Sequence, residues 1–308
     1  MNNSQRLQQL LDRIKLQMFI PLSLQSLSIY FSTPDVIMHL KKLGITQLKN
    51  CLIWILPDWF MEIEYLGEGG FAKVYKGTAN GYVFALKELK KNMLPELVLN
   101  VLLHSSKNGV VNVYGLTKHP QTAKYLMVMA YAHGGSLDDA PSKTYDWKTV
   151  TEYAYTLAIC LHYIHSEGFV HSDLHPGNVV FLYNYPKLID IGMSSSVEDM
   201  YLSNGVYGRL DYLPPEVFSS RLWERTPAFD VYCFATVLWQ IVTGILPKGN
   251  AASAVKNNLD GLREELIPGA PGWFNELLRD CWNPRPERRP SMSEVKRRLS
   301  SQLSILQL

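Results

Sequence analysis

The hydrophobic pattern of this chain changes period once, at Gly134-Gly135, and that change limits the folds open to it. Past Trp59, the stretch MEIEYLGEGGFAKVYKGTANGYVFALKEL alternates apolar and polar residues and is rich in Val, Tyr and Phe. The Asn80-Gly81 pair between two such runs is a hairpin signal, because both residues tolerate the positive φ of a tight turn. Residues 61–90 are therefore expected to form a small antiparallel sheet. PELVLNVLLHS (95–105) reads as a short helix with Pro95 in its first turn, and VVNVYGL and YLMVMAYA as two further strands. After Gly134-Gly135 the repeat becomes helical: Val150, Tyr153, Ala154, Leu157, Ala158, Leu161 and Ile164 recur every three or four residues. Gly168 ends that helix. FDVYCFATVLWQIVTG (229–244) is apolar nearly all round and is expected at the centre of the second lobe. Further helices are expected around 271–282 and 291–302. Strands first and helices after make an α+β protein of two lobes.

A chain of 308 residues suggests about two domains or lobes. Its 47% hydrophobic content is enough for a sizeable core, and a net charge of +2 gives no ground for a nucleic-acid partner. Cys51, Cys160, Cys233 and Cys281 are far apart and form no CxxC pair, which suits reduced, buried thiols in an intracellular, cytoplasmic protein. Residues 1–58 form an N-terminal extension without a chemical motif and are a poor match to a secretory signal. Residues 16–34 lack charge but contain two Gln, several Ser and Pro21, whereas a spanning helix needs about 20 predominantly apolar residues. A helix packed on the domain or binding a partner is the preferred reading, and no membrane is expected. CLIWILP (51–57) reads as a strand or a tether.

Three stretches carry chemistry. Gly67-Glu68-Gly69-Gly70-Phe71-Ala72-Lys73-Val74 fits G-x-G-x-x-A-x-V, and glycine lets the backbone approach phosphate oxygens. A dinucleotide fingerprint would run straight into a helix; here a strand, VYKGTA, continues. Lys87 ends an apolar strand in VFALK, and its ammonium is costly to bury without a partner, for which Glu96 is the nearest candidate. In HSDLHPGN (171–178), His171, Asp173 and His175 alternate, a pattern open to a metal site or to a phosphotransfer loop. No further ligand cluster supports the metal: the spacing of His162 and His165 matches no metal motif. Asn178 and Asp190 stand five and seventeen residues after Asp173, joined by a hairpin-like segment. Such an Asn and Asp can share a magnesium ion, which leaves Asp173 to orient or deprotonate an attacking hydroxyl.

Read in order, GEGGFAKV, FALK, Glu96, HSDLHPGN, DIG, YLPPE, FDVYCFATVLWQIVTG and RPERRP resemble the motif set of a eukaryotic protein kinase, closest in look to the tyrosine-kinase-like group, over about residues 62–302. The resemblance implies a two-lobe kinase domain over 59–304, with an N-lobe at 59–130 and a C-lobe at 131–304. It implies that Leu66, Gly67, Glu68, Gly69, Gly70, Phe71, Ala72, Lys73 and Val74 lie along ATP, with Val74 and Ala85 on one side of the adenine and Val180 on the other. Met129 is similar in position to the gatekeeper, and Ala130 to Ala132 to the hinge. By the same resemblance Lys87 holds phosphates and pairs with Glu96, Asp173 positions the acceptor hydroxyl, and Asn178 and Asp190 hold Mg²⁺. Glu216 and Arg289 form a structural ion pair, and Asp230 braces the backbone of the 171–173 loop. The implied activity is transfer of the γ-phosphate of ATP to Ser or Thr, with Tyr less favoured, on protein substrates in intracellular signalling. HSDLHPGN also resembles the loop of aminoglycoside and choline phosphotransferases, and a pseudokinase scaffold is the other alternative; Ile191-Gly192, GRLDYLPPE and the C-terminal RRP favour the protein kinase.

Four positions depart from the family pattern. Ser172 stands where protein kinases often have an arginine that pairs with an activation-loop phosphate, so weak dependence on phosphorylation is expected, although Ser194, Ser195, Ser196, Ser203 and Tyr207 offer sites. His175 stands where Ser/Thr kinases have lysine, and Arg209 where they often have threonine. Asn100 falls where the family packs an apolar side chain, which predicts a loosely held helix around Glu96.

Overall fold

The structure, a computed structural model, describes residues 3–16, 27, 31, 35–69, 72–103, 109–139, 146–191, 209–219, 225–247 and 264–306. The chain divides into two compact units, Met1–His133 and Gly134–Leu308.

The first unit is built on a six-stranded sheet. Its strands are β1 (Ile53–Trp54), β2 (Phe60–Gly69), β3 (Ala72–Ala79), β4 (Tyr82–Glu88), β5 (Val113–Lys118) and β6 (Tyr125–Ala130), in the order β1-β5-β6-β4-β3-β2. The β3–β4 turn is made by Asn80 and Gly81 at φ +48° and +79°, as their sequence predicts. Pairing is antiparallel throughout, except that β1 runs parallel to β5. Helices α1 (Asn3–Leu16) and α2 (Val36–Leu43) precede the sheet, and α3 (Leu94–Leu103) joins β4 to β5.

The extension is part of this unit. CLIWILP contains β1, and its backbone lies so close to β5 that a Cβ on Gly115 would strike Ile53 O. Leu27 and Phe31 join one buried cluster with Ile53, Ile55, Phe60, Phe84, Leu86, Leu126 and Val128 on one face of the sheet. Phe31 meets Trp59, Tyr82 and Phe84 at ring distances of 5.6, 6.0 and 5.9 Å. His39 of α2 stacks on Trp54 at 3.5 Å and hydrogen-bonds the Tyr125 hydroxyl at 3.0 Å. Burying side chains of this size contributes about 1.5–3 kcal/mol each.

α1 packs against α3 and buries Leu10, Leu11 and Ile14. The expected loosely held helix is not what the structure has: every residue of α3 except Val101 is buried, Asn100 included. The Asn100 amide turns back onto its own helix and donates from Nδ2 to Glu96 O at 2.8 Å. Part of the covering layer is α1, which belongs to the N-terminal extension.

The second unit contains α4 (Trp147–Ser166), the hairpin β7 (Val179–Leu182) and β8 (Tyr185–Leu188), then α5 (Glu216–Ser219), α6 (Pro227–Thr243), α7 (Gly272–Cys281) and α8 (Met292–Leu306). α4 packs on α6, α8 and β8, and α7 packs on α6. The apolar helix is central as expected, since α6 is buried along most of its length; Gly244 closes it in the left-handed conformation at φ +65°. Tyr183 and Asn184 turn the β7–β8 hairpin at φ +50° and +64°. Among the described residues no helix is long and apolar enough to cross a membrane.

Candidate active site

In the first unit the strand register gathers one set of expected ATP-site residues. Val74 pairs with Lys87 across β3–β4, and Ala85 and Lys87 pair with Met129 and Met127 across β4–β6. Side chains two apart on a strand share a face, so Val74, Ala85, Lys87 and Met129 share the face opposite the Phe84–Leu86 cluster. Lys87 Nζ donates to Glu96 Oε1 at 2.7 Å, with the two side chains 6% and 2% exposed. Leu66, Gly67, Glu68 and Gly69 lie at the end of β2, and Ala72, Lys73 and Val74 at the start of β3. Gly70 and Phe71 lie outside the described residues. Among the described residues a Cβ on Gly67 would meet nothing within 4 Å, so their packing does not require glycine there. Ala130 ends β6, its N–H bonded to Asn112 O at 2.9 Å, and Ala132 is half-buried just beyond.

In the second unit the 171–178 loop hangs on one carboxylate. Asp230, fully buried in the first turn of α6, accepts the N–H groups of His171 at 2.7 Å and Ser172 at 2.9 Å. It also meets His165 Nε2 at 2.8 Å. Ser172 is thereby held at φ +71°, a left-handed conformation that costs a non-glycine residue roughly 1–3 kcal/mol. His171 accepts the Asp173 N–H on Nδ1 at 3.4 Å and faces Ile189 O through Nε2 at 3.0 Å, so the two strands of chain that carry Asp173 and Asp190 are tied together. Asp190 is itself left-handed at φ +60°.

Asn178 donates from Nδ2 to Asp173 O at 2.8 Å, which turns its amide oxygen away from that carbonyl. Asn178 O accepts the Ile189 N–H at 3.1 Å, so the Asn178 and Asp190 positions lie side by side at the mouth of the hairpin. An amide oxygen and a carboxylate are hard oxygen donors of the kind Mg²⁺ prefers, and the pair fits such an ion. Among the described residues no group of three His, Cys, Asp or Glu could hold a metal, and the His171–Asp173–His175 triad does not assemble. His175 accepts the Gly177 N–H on Nδ1 at 3.1 Å and has Nε2 3.8 Å from Asp173 Oδ1. Burial lowers the pKa of the His175 imidazole; Asp173 opposes that shift, and Arg209 and His171 reinforce it. Val180 is buried in β7.

Arg289 reaches Glu216 with both guanidinium ends at 2.7 Å. Three further residues touch this region without a signal in the sequence. His165 shares Asp230. Asp138 takes the Arg209 guanidinium, Nη1 to Oδ1 at 2.6 Å. Arg225, just before α6, has its pKa lowered by burial against the pull of Asp173 and Asp230. None of the three sits at a motif spacing, because each is brought in by the way the segments after Gly134 pack.

Residues 60–299 match the model of the protein kinase domain. This chain belongs to the protein kinase family. Kinase domains use ATP and a divalent metal and act on protein substrates. The chain is 26% identical over 289 residues to the mouse ankyrin repeat and protein kinase domain-containing protein 1, covering 85% of this chain and 38% of the relative. It is 29% identical over 284 residues to an Acanthamoeba polyphaga mimivirus protein named as a serine/threonine-protein kinase/receptor, covering 80% and 16%. It is 31% identical over 258 residues to the receptor-like kinase LIP2 of Arabidopsis thaliana, covering 74% and 41%. The chain thus spans less than half the length of each of these relatives. The kinase match begins at residue 60, the first residue of β2, so the extension and β1 lie outside it.

Proposed function

We propose that this chain is a Mg²⁺- and ATP-dependent protein kinase that phosphorylates Ser or Thr hydroxyls in intracellular signalling, and that it works in the cytoplasm. The observation that carries this reading is the loop around Asp173: one buried carboxylate, Asp230, pins two successive N–H groups just before it, and Asn178 holds its carbonyl from behind. A carboxylate so fixed suits the positioning of an acceptor hydroxyl. In this reading Lys87, paired with Glu96, holds ATP phosphates. Leu66, Gly67, Glu68, Gly69, Gly70, Phe71, Ala72, Lys73, Val74, Ala85, Met129, Ala130, Ala132 and Val180 surround the nucleotide. Asn178 and Asp190 bind Mg²⁺, while Glu216, Asp230 and Arg289 are scaffold. The serine/threonine-kinase name borne by the mimivirus relative supports the Ser/Thr assignment. The expected activation-loop sites, Ser194, Ser195, Ser196, Ser203 and Tyr207, lie outside the described residues.

The test is transfer of labelled phosphate from Mg-ATP to casein by the wild-type chain beside Asp173→Asn. The expected loss in Asp173→Asn is on the order of 10²-fold or more, the size of a positioned base. Nucleotide binding with no transfer by the wild type would identify a pseudokinase scaffold. Transfer to amino sugars or choline alone would identify a small-molecule kinase.

A further inference from the structure

His175 is a polar residue of the 171–178 loop, beside Asp173, whose chemistry the proposed transfer leaves unused. Its protonation is set by geometry. Nδ1 accepts the Gly177 N–H at 3.1 Å, and an imidazolium has no lone pair to accept with, so the ring is neutral and its proton sits on Nε2. That Nε2–H stands 3.8 Å from Asp173 Oδ1, too far for a direct hydrogen bond. Two polar atoms at this separation can both reach one oxygen about 2.8 Å from each. Asp173 is 32% exposed and His175 16%, so the space beside them opens to solvent.

The neighbours hold this pose. A Cβ on Gly177 would lie 2.9 Å from both Asp138 Oδ2 and His175 Cε1 and 3.1 Å from His175 Nδ1, so glycine lets the ring and the Asp138 carboxylate sit this close to the loop without shifting. The Tyr212 ring lies 6.4 Å from the imidazole. The nearby Arg209 is bonded to Asp138, which draws the guanidinium toward that carboxylate.

We infer that His175 is a second positioning residue for the acceptor: its Nε2–H and Asp173 Oδ1 together hold the oxygen of the incoming hydroxyl. The inference rests on the proposed kinase activity and adds a role to it. The N–H occupies one lone pair of the hydroxyl oxygen and the carboxylate takes its hydrogen, so the remaining lone pair is aimed. That lone pair forms the new oxygen–phosphorus bond to the γ-phosphorus. The bond from the γ-phosphorus to the β–γ bridging oxygen breaks, ADP leaves with the electron pair, and the hydroxyl proton goes to Asp173. His175 keeps its proton throughout. It acts as a neutral donor where a lysine would bring a charge.

The test compares His175→Ala, which has no donor, with His175→Gln, which keeps an N–H, in the full chain with Mg-ATP and casein. His175→Ala is expected to lower kcat/KM for casein roughly 10- to 100-fold with KM for ATP unchanged. His175→Gln is expected to recover part of the loss. Wild-type rates in His175→Ala, or no recovery in His175→Gln, would overturn the role while leaving the kinase assignment intact. A wild-type chain that binds ATP and transfers to nothing overturns both. Nitrogen-15 NMR of the ring gives a readout free of turnover: a proton on Nε2 and none on Nδ1 is expected at neutral pH. The opposite tautomer, or an imidazolium, would sink the inference even in an active enzyme.

Discussion

Each unit buries an ion pair, and the two are built differently. In the second unit Arg289 grips both oxygens of Glu216 at 2.7 Å. It also gives Nη1 to Ala228 O at 3.0 Å and Nε to Asn283 O at 2.8 Å, and lies over the Tyr232 ring at 4.8 Å. In the first unit the Lys87 ammonium meets one oxygen of Glu96 at 2.7 Å, reaching from a strand to a helix. A guanidinium is a flat fork that fixes its partner in two directions, whereas an ammonium is a compact charge on a flexible stem. The fork joins α5, the start of α6 and the chain before α8 into one frame. The ammonium decides where a single positive charge stands. Buried charge therefore serves shape in one unit and, in the proposed reaction, chemistry in the other.

The same substitution on each acid separates these uses. Glu216→Gln turns one of two acceptors into a donor facing a guanidinium that cannot release a proton. Unfolding by urea should show a loss of about 3–5 kcal/mol, the cost of leaving a buried charge uncompensated. Glu96→Gln can keep a carbonyl oxygen toward Lys87, and a buried lysine can shed its proton when its environment stops favouring it. Its stability loss should be less than half as large. Its loss of phosphate transfer should be about tenfold or more, because Lys87 no longer holds a fixed charge. Equal stability losses for the two variants would erase the distinction.

A second contrast, between two glycines, bears on how much the sequence disclosed. Gly67 stands where the sequence expects phosphate to approach, and among the described residues a Cβ there would meet nothing within 4 Å. Gly115 belongs to no motif, yet a Cβ there would strike the backbone oxygen of Ile53. The motifs along 67–96 and 171–190 were legible because catalytic geometry forces residue types to fixed spacings. CLIWILP was legible as a strand, but the packing of residues 1–50 was not: α1, which carries Leu10, finds its partner on α3, Phe31 and His39 find theirs on later strands, and apolar burial leaves no spacing rule. The same holds for Arg225 and Asp138. Gly115→Ala should displace β1 and cost roughly 1–3 kcal/mol, as overpacking does. Gly67→Ala should leave the unfolding free energy within about 0.5 kcal/mol of wild type, as substitutions away from such contacts do. A thermal unfolding series on the two variants settles the order, and a Gly67→Ala chain less stable than Gly115→Ala would reverse it.

The smallest effect concerns the helix that carries Glu96. Asn100 is 1% exposed, and among the described residues its Oδ1 has no hydrogen-bond partner, although Nδ2 reaches Glu96 O. A buried acceptor without a donor costs about 1–3 kcal/mol, while one neutral hydrogen bond returns about 1 kcal/mol, so the polar side chain is a net burden to α3. Asn100→Leu keeps a similar volume and removes the orphan acceptor. Glu96 O remains in the helical ladder, so no new orphan is created. The variant should be more stable than wild type by about 1 kcal/mol in urea unfolding, with transfer to casein unchanged or higher. A destabilised Asn100→Leu would mean that α3 is shaped around the amide, and the buried asparagine would then belong with structural groups such as the Arg289 frame.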